Sequence, residues 1–526
     1  MLFTSAGFIA FLCVVFILYY LIPKKFQWVL LLLGSYFFYA CAGIHFLIYI
    51  TVTSVTTWFA ALKISDLHGV QDAYLAENKK NLSRDERKAY KASMKKKMRV
   101  WFVCCLLLNL GILAVIKYTD FAIENINLIF GTEWAFMDFA LPMGISFYTF
   151  QSMGYLIDVY WGKYECQRNL PKFALFVSFF PQMVQGPISR YDQLSKTLYG
   201  EHPIDRKNIS FGIQRILWGF FKKLVVADRL VTAVSALVAE PEEYKGVYVI
   251  LVIFFYAIEL YADFTGGIDI TIGIARVCGI TMVENFDHPF LSKSTKEYWR
   301  RWHITMGTWF KDYIFYPVSV SSWMLKISKW SRKTFGAAIG KRVPVYLTTI
   351  ILWFVTGFWH GASWNFIVWG LMNCLVIIVS QELEPLYAKF YKRFPKMADR
   401  KWWGAWQIFR TFWLMGTIRV LDCYRNVPLT FKQVGSVFTT FNWNVLFNGS
   451  LLDLGLSGAD YIAIAIGVAV MVIVSLASRK ESIREQLWKK PAALRNAVFL
   501  VLFFAVVIIG AYGVGYDSSQ FIYNQF

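Results

Sequence analysis

The chain is divided into apolar stretches of about 20 residues by shorter blocks that are rich in lysine and arginine. A transmembrane helix needs about 20 consecutive, mostly apolar residues to cross the hydrocarbon core of a bilayer. Of the 526 residues, 57% are hydrophobic and only 17% are charged, which lies outside the range of soluble globular domains. The sequence therefore predicts an all-α polytopic membrane protein, embedded in a lipid bilayer, with about 11–13 transmembrane helices.

The candidate spans share this length and an almost uncharged composition. They lie near 3–22, 27–43, 45–63, 100–117, 137–158, 211–236, 247–264, 343–360, 364–381, 402–420, 459–477 and 493–513. The first has no basic segment before it and is long enough to remain as a helix, so we expect no cleaved signal peptide. Because no repeat of fixed period is present, residues 1–526 are predicted to form a single membrane domain.

The positive residues indicate the orientation of the helices. Residues 64–99 hold ten Lys or Arg against five acids, so the positive-inside rule predicts a basic cytoplasmic loop there. Alternating sides along the chain then places the N-terminus and the tail 512–526 on the extracytoplasmic side. The net charge of +20 lies in blocks between apolar stretches rather than on one soluble face, so a nucleic acid is not expected as a partner.

Three apolar segments are broken by proline and glycine, at 141–147, 180–187 and 263–267. Irregular backbone at membrane depth is tolerated only against protein or a watery cavity. Kinked helices would have the same composition, but three such segments with polar residues favour short or re-entrant pieces around a central tunnel.

The segment 293–318 mixes basic and aromatic residues, which is typical of a helix anchored at the cytoplasmic interface. An anionic, phosphate-bearing donor that enters from the cytoplasm would also favour such a surface. We expect Arg300 and Arg301, with the adjacent Trp302, to contact such a donor, although anchoring alone would explain most of these residues.

Two of the six histidines lie in apolar, aromatic surroundings, His303 and His360. An ionisable side chain in a bilayer segment costs roughly 2.5–3.5 kcal/mol, so it is usually retained for binding or reaction. Histidine can remain uncharged near neutral pH and still accept a proton. A lone histidine in an aromatic helix is also often structural. The eight cysteines lack metal-ligand spacing and no phosphate-binding loop is present, so neither a metal site nor a bound cofactor is expected.

Five segments together resemble the membrane-bound O-acyltransferase family, in its bacterial polysaccharide branch. They are 141–158, 180–190, 261–273, 298–317 and 357–373. The resemblance is stronger to the membrane subunits of alginate and peptidoglycan O-acetylation than to the shorter protein of teichoic acid D-alanylation. Gly267 departs from the family, which usually has an aromatic residue at this position.

The resemblance implies a multi-pass enzyme of the bacterial plasma membrane, with a tunnel from the cytoplasm to an outer funnel. His360 is expected to act in acyl transfer as a general base, and His303 to orient the donor or polarise its carbonyl. The implied reaction moves acetyl from cytoplasmic acetyl-CoA outward for O-acetylation of an extracellular or cell-wall polysaccharide. The implied partner is an extracytoplasmic O-acetyltransferase of the SGNH (serine-hydrolase) type.

The C-terminal tail has an aromatic end that includes Tyr523. An apolar tail on the outer interface would have the same composition. The resemblance implies that Tyr523 accepts the acyl group near His360 and passes it to the partner. Two alternatives remain open: D-alanyl transfer from a carrier protein to teichoic acid, and a transporter of polysaccharide or lipid-linked sugar without chemistry.

Overall fold

The computed structural model describes residues 3–183 and 185–512, which form helices and connecting segments without any strand. The predicted all-α class is therefore confirmed. The chain divides into two compact units, Met1–Ser210 with Ile274–Val283, and Phe211–Gly273 with Glu284–Phe526. The single membrane domain stays a prediction.

The first unit contains the N-terminal helices. They are α1 (Ala6–Leu21), α2 (Gln27–Ala40), α3 (Leu47–Glu77), α4 (Arg84–Phe130), α5 (Ile145–Tyr160), α6 (Leu170–Ser178), α7 (Phe180–Met183) and α8 (Tyr191–Leu198). Short 3₁₀ helices, Lys24–Phe26 and Ile44–Phe46, precede α2 and α3.

The basic segment 64–99 is mostly helical, so the prediction that it forms a loop is wrong. Helix α3 continues to its C-cap at Asn78, and α4 begins after Ser83. The Ser83 hydroxyl accepts from the backbone N–H of Glu86 at 3.2 Å, and the Glu86 carboxylate accepts from the backbone N–H of Ser83 at 2.8 Å. This capping box and the helix-favouring lysines explain why the charged residues extend two helices beyond their apolar spans.

Two of the three irregular segments predicted from sequence are irregular in the structure. Residues 141–144 are not helical, and Gly144 adopts a left-handed φ of 69°. A Cβ atom at Gly144 would lie 2.3 Å from the carbonyl oxygen of Met183, so only glycine fits there. Helix α7 is a single turn within the second segment.

The remaining helices belong mainly to the second unit. They are α9 (Arg206–Phe220), α10 (Asp228–Ala239), α11 (Val247–Val277), α12 (Thr295–Arg301), α13 (Ile304–Phe310), α14 (Tyr316–Ser319), α15 (Ser322–Gly340), α16 (Val343–His360), α17 (Trp364–Glu382), α18 (Glu384–Arg393), α19 (Lys401–Tyr424), α20 (Val427–Ser436), α21 (Gly458–Ala477), α22 (Ile483–Trp488) and α23 (Ala492–Ile509). Two π-helical segments, Phe221–Ala227 and Lys311–Phe315, join α9 to α10 and α13 to α14. Short 3₁₀ helices lie at Pro289–Leu291, Pro395–Met397, Trp443–Leu446 and Ser450–Leu454.

The prediction of a third irregular segment, at 263–267, is wrong, because α11 runs through these residues without interruption. Its glycine serves a close helix crossing instead. A Cβ atom at Gly266 would lie 2.9 Å from the carbonyl oxygen of Gly219 in α9, and a Cβ at Gly219 would lie 2.5 Å from that of Gly266. Paired glycines allow two helix backbones to approach in this way.

Seven described helices are long and apolar enough to cross a membrane by length and composition. These spans are Ile44–Glu77, Arg84–Phe130, Val247–Val277, Val343–His360, Trp364–Glu382, Gly458–Ala477 and Ala492–Ile509. Helix α1 is also apolar but shorter. The predicted spans 27–43 and 137–158 became helices of 14 and 16 residues, and 211–236 contains a π-helical segment.

A hydrophobic core in the second unit packs α16, α17 and α19 together around Trp353 and Trp369. Glycines allow α16 and α17 to approach closely. A Cβ atom at Gly357 would lie 2.4 Å from the carbonyl oxygen of Phe366, and one at Gly370 would lie 2.4 Å from that of Trp353. This packing fixes the end of α16, where His360 lies.

Candidate active site

His360 is the last residue of α16 and is enclosed by aromatic side chains. Its ring centre lies 4.8 Å from that of Trp369 and 5.1 Å from that of Trp359, both in edge-on arrangements. The next residue must be small, because a Cβ atom at Gly361 would lie 2.1 Å from the ring of Phe366. His360 is only 6% exposed, so its ring is enclosed by protein.

His303 connects α12 to α13 and is completely buried. Its backbone has φ 47° and ψ 54°, a left-handed conformation that costs a residue other than glycine about 1–3 kcal/mol. Its ring centre lies 4.9 Å from that of Phe264. Such backbone strain persists only where the surrounding structure enforces it, and it is common at functional sites.

Asn285 determines which nitrogen of His303 carries the proton. The Oδ1 atom of Asn285 accepts from the backbone N–H of Thr305 at 3.0 Å and from its hydroxyl at 2.9 Å, and it lies 3.3 Å from Nδ1 of His303. Because a backbone N–H can only donate, the oxygen of the amide must face this cluster. A neutral His303 therefore has its proton on Nδ1 and a lone pair on Nε2.

His303 is uncharged at physiological pH. Burial, and then the positive charge of Arg419, lower the pKa of His303 to about 3. The ring can therefore accept a hydrogen bond through Nε2, but it is not a cation.

One tryptophan brings the two histidines together. The ring centre of Trp359 lies 6.4 Å from that of His303 and 5.1 Å from that of His360. The structure thus places both histidines selected from the sequence in one aromatic cluster within the second unit. Their catalytic roles stay predictions.

Sequence reasoning missed a buried ion pair beside this cluster, Arg419 with Asp422. Nη1 of Arg419 lies 2.8 Å from a carboxylate oxygen of Asp422, and both residues are buried. The guanidinium lies 4.6 Å from the ring centre of Trp369 and 5.4 Å from that of Trp302. The sequence does contain a signal for this pair, because an Arg and an Asp lie three residues apart in an otherwise apolar helix. Charges in such a helix are costly unless they are paired.

The residues predicted to bind the donor have different surroundings. Arg300 is exposed, whereas Arg301 forms a 2.7 Å ion pair with Glu297. Trp302 is buried and stacks on Tyr298, with ring centres 5.5 Å apart. Donor binding stays a prediction for all three of them.

The interface-anchor prediction for this segment is wrong for three of its aromatic residues. Trp302, Trp309 and Tyr313 are buried within the protein, whereas Tyr316 is exposed. Three of the aromatic residues that composition assigned to a membrane surface therefore pack the interior.

Two adjacent lysines of the first π-helical segment are buried against carboxylates of α11, which sequence reasoning also missed. Nζ of Lys222 lies 2.6 Å from Asp269, and Nζ of Lys223 lies 2.7 Å from Asp263. Arg215 adds a second bond to Asp269 at 2.7 Å. The sequence signal for this cluster is the presence of two acids in one apolar span and two lysines in another, since such charges require partners.

Some expectations fall on other parts of the chain. Tyr523 lies outside the described residues. Within residues 3–183 and 185–512, no group of three or more His, Cys, Asp or Glu side chains is arranged to hold a metal ion.

The two histidines are buried together in an apolar, helical setting, and comparison with known proteins identifies the class to which the chain belongs. The sequence profile of the membrane-bound O-acyltransferase family matches residues 167–424, which include both histidines and the Arg419 pair. The chain belongs to this family. It is a multi-pass membrane protein and an O-acyltransferase.

The relatives act on different polymers. The chain is 28% identical to a probable alginate O-acetylase of Azotobacter vinelandii, over 94% of this chain and 88% of the relative. It is 29% identical to a peptidoglycan O-acetyltransferase of Helicobacter pylori, over 80% of this chain and 79% of the relative. A teichoic acid D-alanyltransferase of Bacillus subtilis is 27% identical over 51% of this chain and 65% of the relative.

Proposed function

We propose that this protein moves an acetyl group from cytoplasmic acetyl-CoA across the bacterial inner membrane for O-acetylation of an extracellular or cell-wall polysaccharide. The O-acetylation relatives align along most of the chain, whereas the D-alanyl relative aligns along about half of it. This difference favours acetyl over D-alanyl as the transferred group. The observation that carries the proposal is the burial of His303 and His360 around Trp359.

In the proposed step, a hydroxyl oxygen attacks the carbonyl carbon of the thioester. His360 takes the proton of the hydroxyl as the new C–O bond forms. The C–S bond then breaks, and the thiolate that leaves receives the proton from His360. General base catalysis of this kind typically contributes about 10²–10⁴ in rate.

The tautomer of His303 favours one of the two roles expected from the sequence. With its proton directed at Asn285, the neutral ring presents a lone pair at Nε2. It is therefore suited to accept from an amide N–H in the arm of the donor, and not to donate to the carbonyl oxygen. His303 in this role orients the thioester for attack.

The proposed acceptor is the hydroxyl of Tyr523, which would pass the acetyl group to an extracytoplasmic SGNH-type O-acetyltransferase. Tyrosine ionises near pH 10, so its hydroxyl requires a base such as His360. This relay requires the tail 512–526 and the N-terminus to be extracytoplasmic, with 64–99 on the cytoplasmic side.

Transfer of labelled acetyl from acetyl-CoA to the purified full-length protein tests the proposal. We expect the label on Tyr523 in the wild type, and at least 100-fold less label in His360→Gln and in Tyr523→Phe. His45→Gln is the matched control, because His45 is exposed and lies in the first unit. Thermal unfolding of each variant shows whether it is folded.

The alternatives give different results. Label that is absent with acetyl-CoA but present with a D-alanyl carrier protein would support D-alanyl transfer. Folded protein that accepts no acyl group from either donor, yet supports polysaccharide export with His360→Gln, would support the transporter. Label that persists in His360→Gln would refute its role as the base.

A further inference from the structure

Two adjoining cavities lie in the second unit, and neither His303 nor His360 lines them. The first has a volume of about 610 Å³ and an almost entirely apolar lining from α21, α23 and the π-helical segment Phe221–Ala227. The second, called the polar cavity below, has a volume of about 390 Å³ and a mixed lining that includes charged side chains. They share the side chains of Trp218, Val474, Ile483 and Arg484. Together they form one amphipathic site, and both volumes are within the usual range of ligand pockets, about 300–1,000 Å³.

The apolar cavity lies between α21 and α23. Past the end of α23, the backbone N–H of Ala511 donates to the carbonyl oxygen of Leu224 at 2.8 Å. Along its length the helix is mostly exposed, and only 6% of its most apolar window is buried. The space between the helices is lined by Ile466 and Val470 of α21 and by residues of α23. A flexible hydrocarbon chain would fit between two such apolar helices.

The polar cavity has balanced charges. Its lining includes the cations Arg215, Lys222 and Arg484, and the carboxylates Asp269, Glu284 and Asp287. The side chains of Glu284 and Asp287 are more than half exposed. A headgroup that carries both signs matches such a lining better than a headgroup with a net charge.

Positive charge marks the junction between the two cavities. Arg484 lines both, and Arg495 lines the apolar one, with its guanidinium 4.4 Å from the ring centre of Trp488. No acidic residue lines the apolar cavity among the residues that the structure describes. Arginine is suited to phosphate, because its planar fork can form two parallel charge-assisted bonds.

We propose that these joined cavities bind one zwitterionic phospholipid with an amino headgroup, such as phosphatidylethanolamine. An acyl chain occupies the space between α21 and α23. The phosphate lies at Arg484, and the ammonium group lies towards Glu284 and Asp287. Because neither histidine lines the two cavities, this proposal does not rest on the proposed acyl transfer.

Native mass spectrometry of the full-length protein tests this proposal. The protein is stripped of lipid in detergent and incubated with phosphatidylethanolamine or with phosphatidylglycerol of the same acyl chains. We expect one retained phosphatidylethanolamine per chain. Ala463→Phe fills the apolar cavity and should abolish retention, and Arg484→Ala should weaken it at least ten-fold. Ala469→Phe and Arg479→Ala, which line neither cavity, are the matched controls.

The other outcomes overturn the proposal. They are no retained phospholipid, equal retention in Ala463→Phe, or a preference for phosphatidylglycerol. Lipid that binds only after removal of residues 513–526 would show that the tail of the protein occupies the site instead. If Ala463→Phe does not fold, Ala505→Phe fills the same cavity from α23.

Discussion

Asn285 supports the conformation of His303, so replacing it should reduce both stability and activity. Asn285→Ala removes the acceptor of three buried donors: the backbone N–H of Thr305, its hydroxyl, and Nδ1–H of His303. The hydroxyl can rotate to another acceptor, but the other two donors are fixed. Each buried donor left without an acceptor costs roughly 1–3 kcal/mol, so we expect a loss of roughly 2–6 kcal/mol in unfolding free energy. Most proteins have a total of only about 5–15 kcal/mol.

A second variant separates the loss of an acceptor from a general loss of packing. Thr305→Val removes only the hydroxyl donor and leaves the two fixed donors bonded to Asn285, so we expect a cost of about 1 kcal/mol. Urea unfolding in mild detergent compares the two variants. Labelled acetyl transfer, measured where each variant is folded, should fall about 100-fold in Asn285→Ala, because the histidine loses its fixed orientation.

The comparison gives a clear refutation. If Asn285→Ala costs no more than Thr305→Val, the amide is not the acceptor that fixes His303. If Asn285→Ala is unstable but transfers acetyl at the wild-type rate, the orientation of His303 does not matter to the reaction.

Three further predictions follow from the same unit. Burial lowers the pKa of His303 to about 3, so below about pH 6.5 the unfolded state binds a proton that the folded state does not. The free energy of unfolding should therefore fall by up to about 1.4 kcal/mol per pH unit from pH 6.5 towards 3. The thermal midpoint should depend less steeply on pH in His303→Gln than in the wild type, and an equal pH dependence would contradict this. Arg419→Met leaves Asp422 as an uncompensated buried charge and should cost about 3–5 kcal/mol, whereas the double variant with Asp422→Leu should recover most of the loss in urea unfolding. Gly266→Ala should lower the thermal midpoint, because its Cβ atom would lie 2.9 Å from a backbone carbonyl oxygen of α9, whereas Gly111→Ala, with no atom within 4 Å, should not.

The helices that the sequence predicted most accurately are those whose apolar residues are uninterrupted. The predicted spans 343–360 and 364–381 agree with α16 and α17 to within one residue. Prediction was poorer where charges lie within an apolar stretch. Lys222 and Lys223 lie in the middle of 211–236, where the structure has a π-helical segment instead of a continuous α-helix. Hydropathy records the length of an apolar run, but it does not reveal a local change of helical pitch.

The histidines could be selected from the sequence because each is an isolated ionisable residue in apolar surroundings. Asn285 could not be selected in the same way, because it contacts His303 only through the fold and its own neighbours are not distinctive. The glycines of 263–267 were misread for a related reason. A glycine in the sequence can indicate that a Cβ atom is not tolerated at that position. Only the fold shows whether the reason is a break in the helix or the close approach of a second helix.

For the buried charges, the sequence predicts that partners exist but not which residues they are. A charge in an apolar helix requires a partner, so the presence of Lys222 and Lys223 predicts that acidic residues lie nearby. The sequence does not identify them, because Asp263 and Asp269 are about 40 or more positions further along the chain. In the structure these acids are six residues apart, about 9 Å along the axis of α11. Two adjacent lysines that bind carboxylates at that spacing fix the π-helical segment against α11 in one register. The histidine cluster contacts the same helix through Phe264, so we infer that this ionic register also helps to position His303.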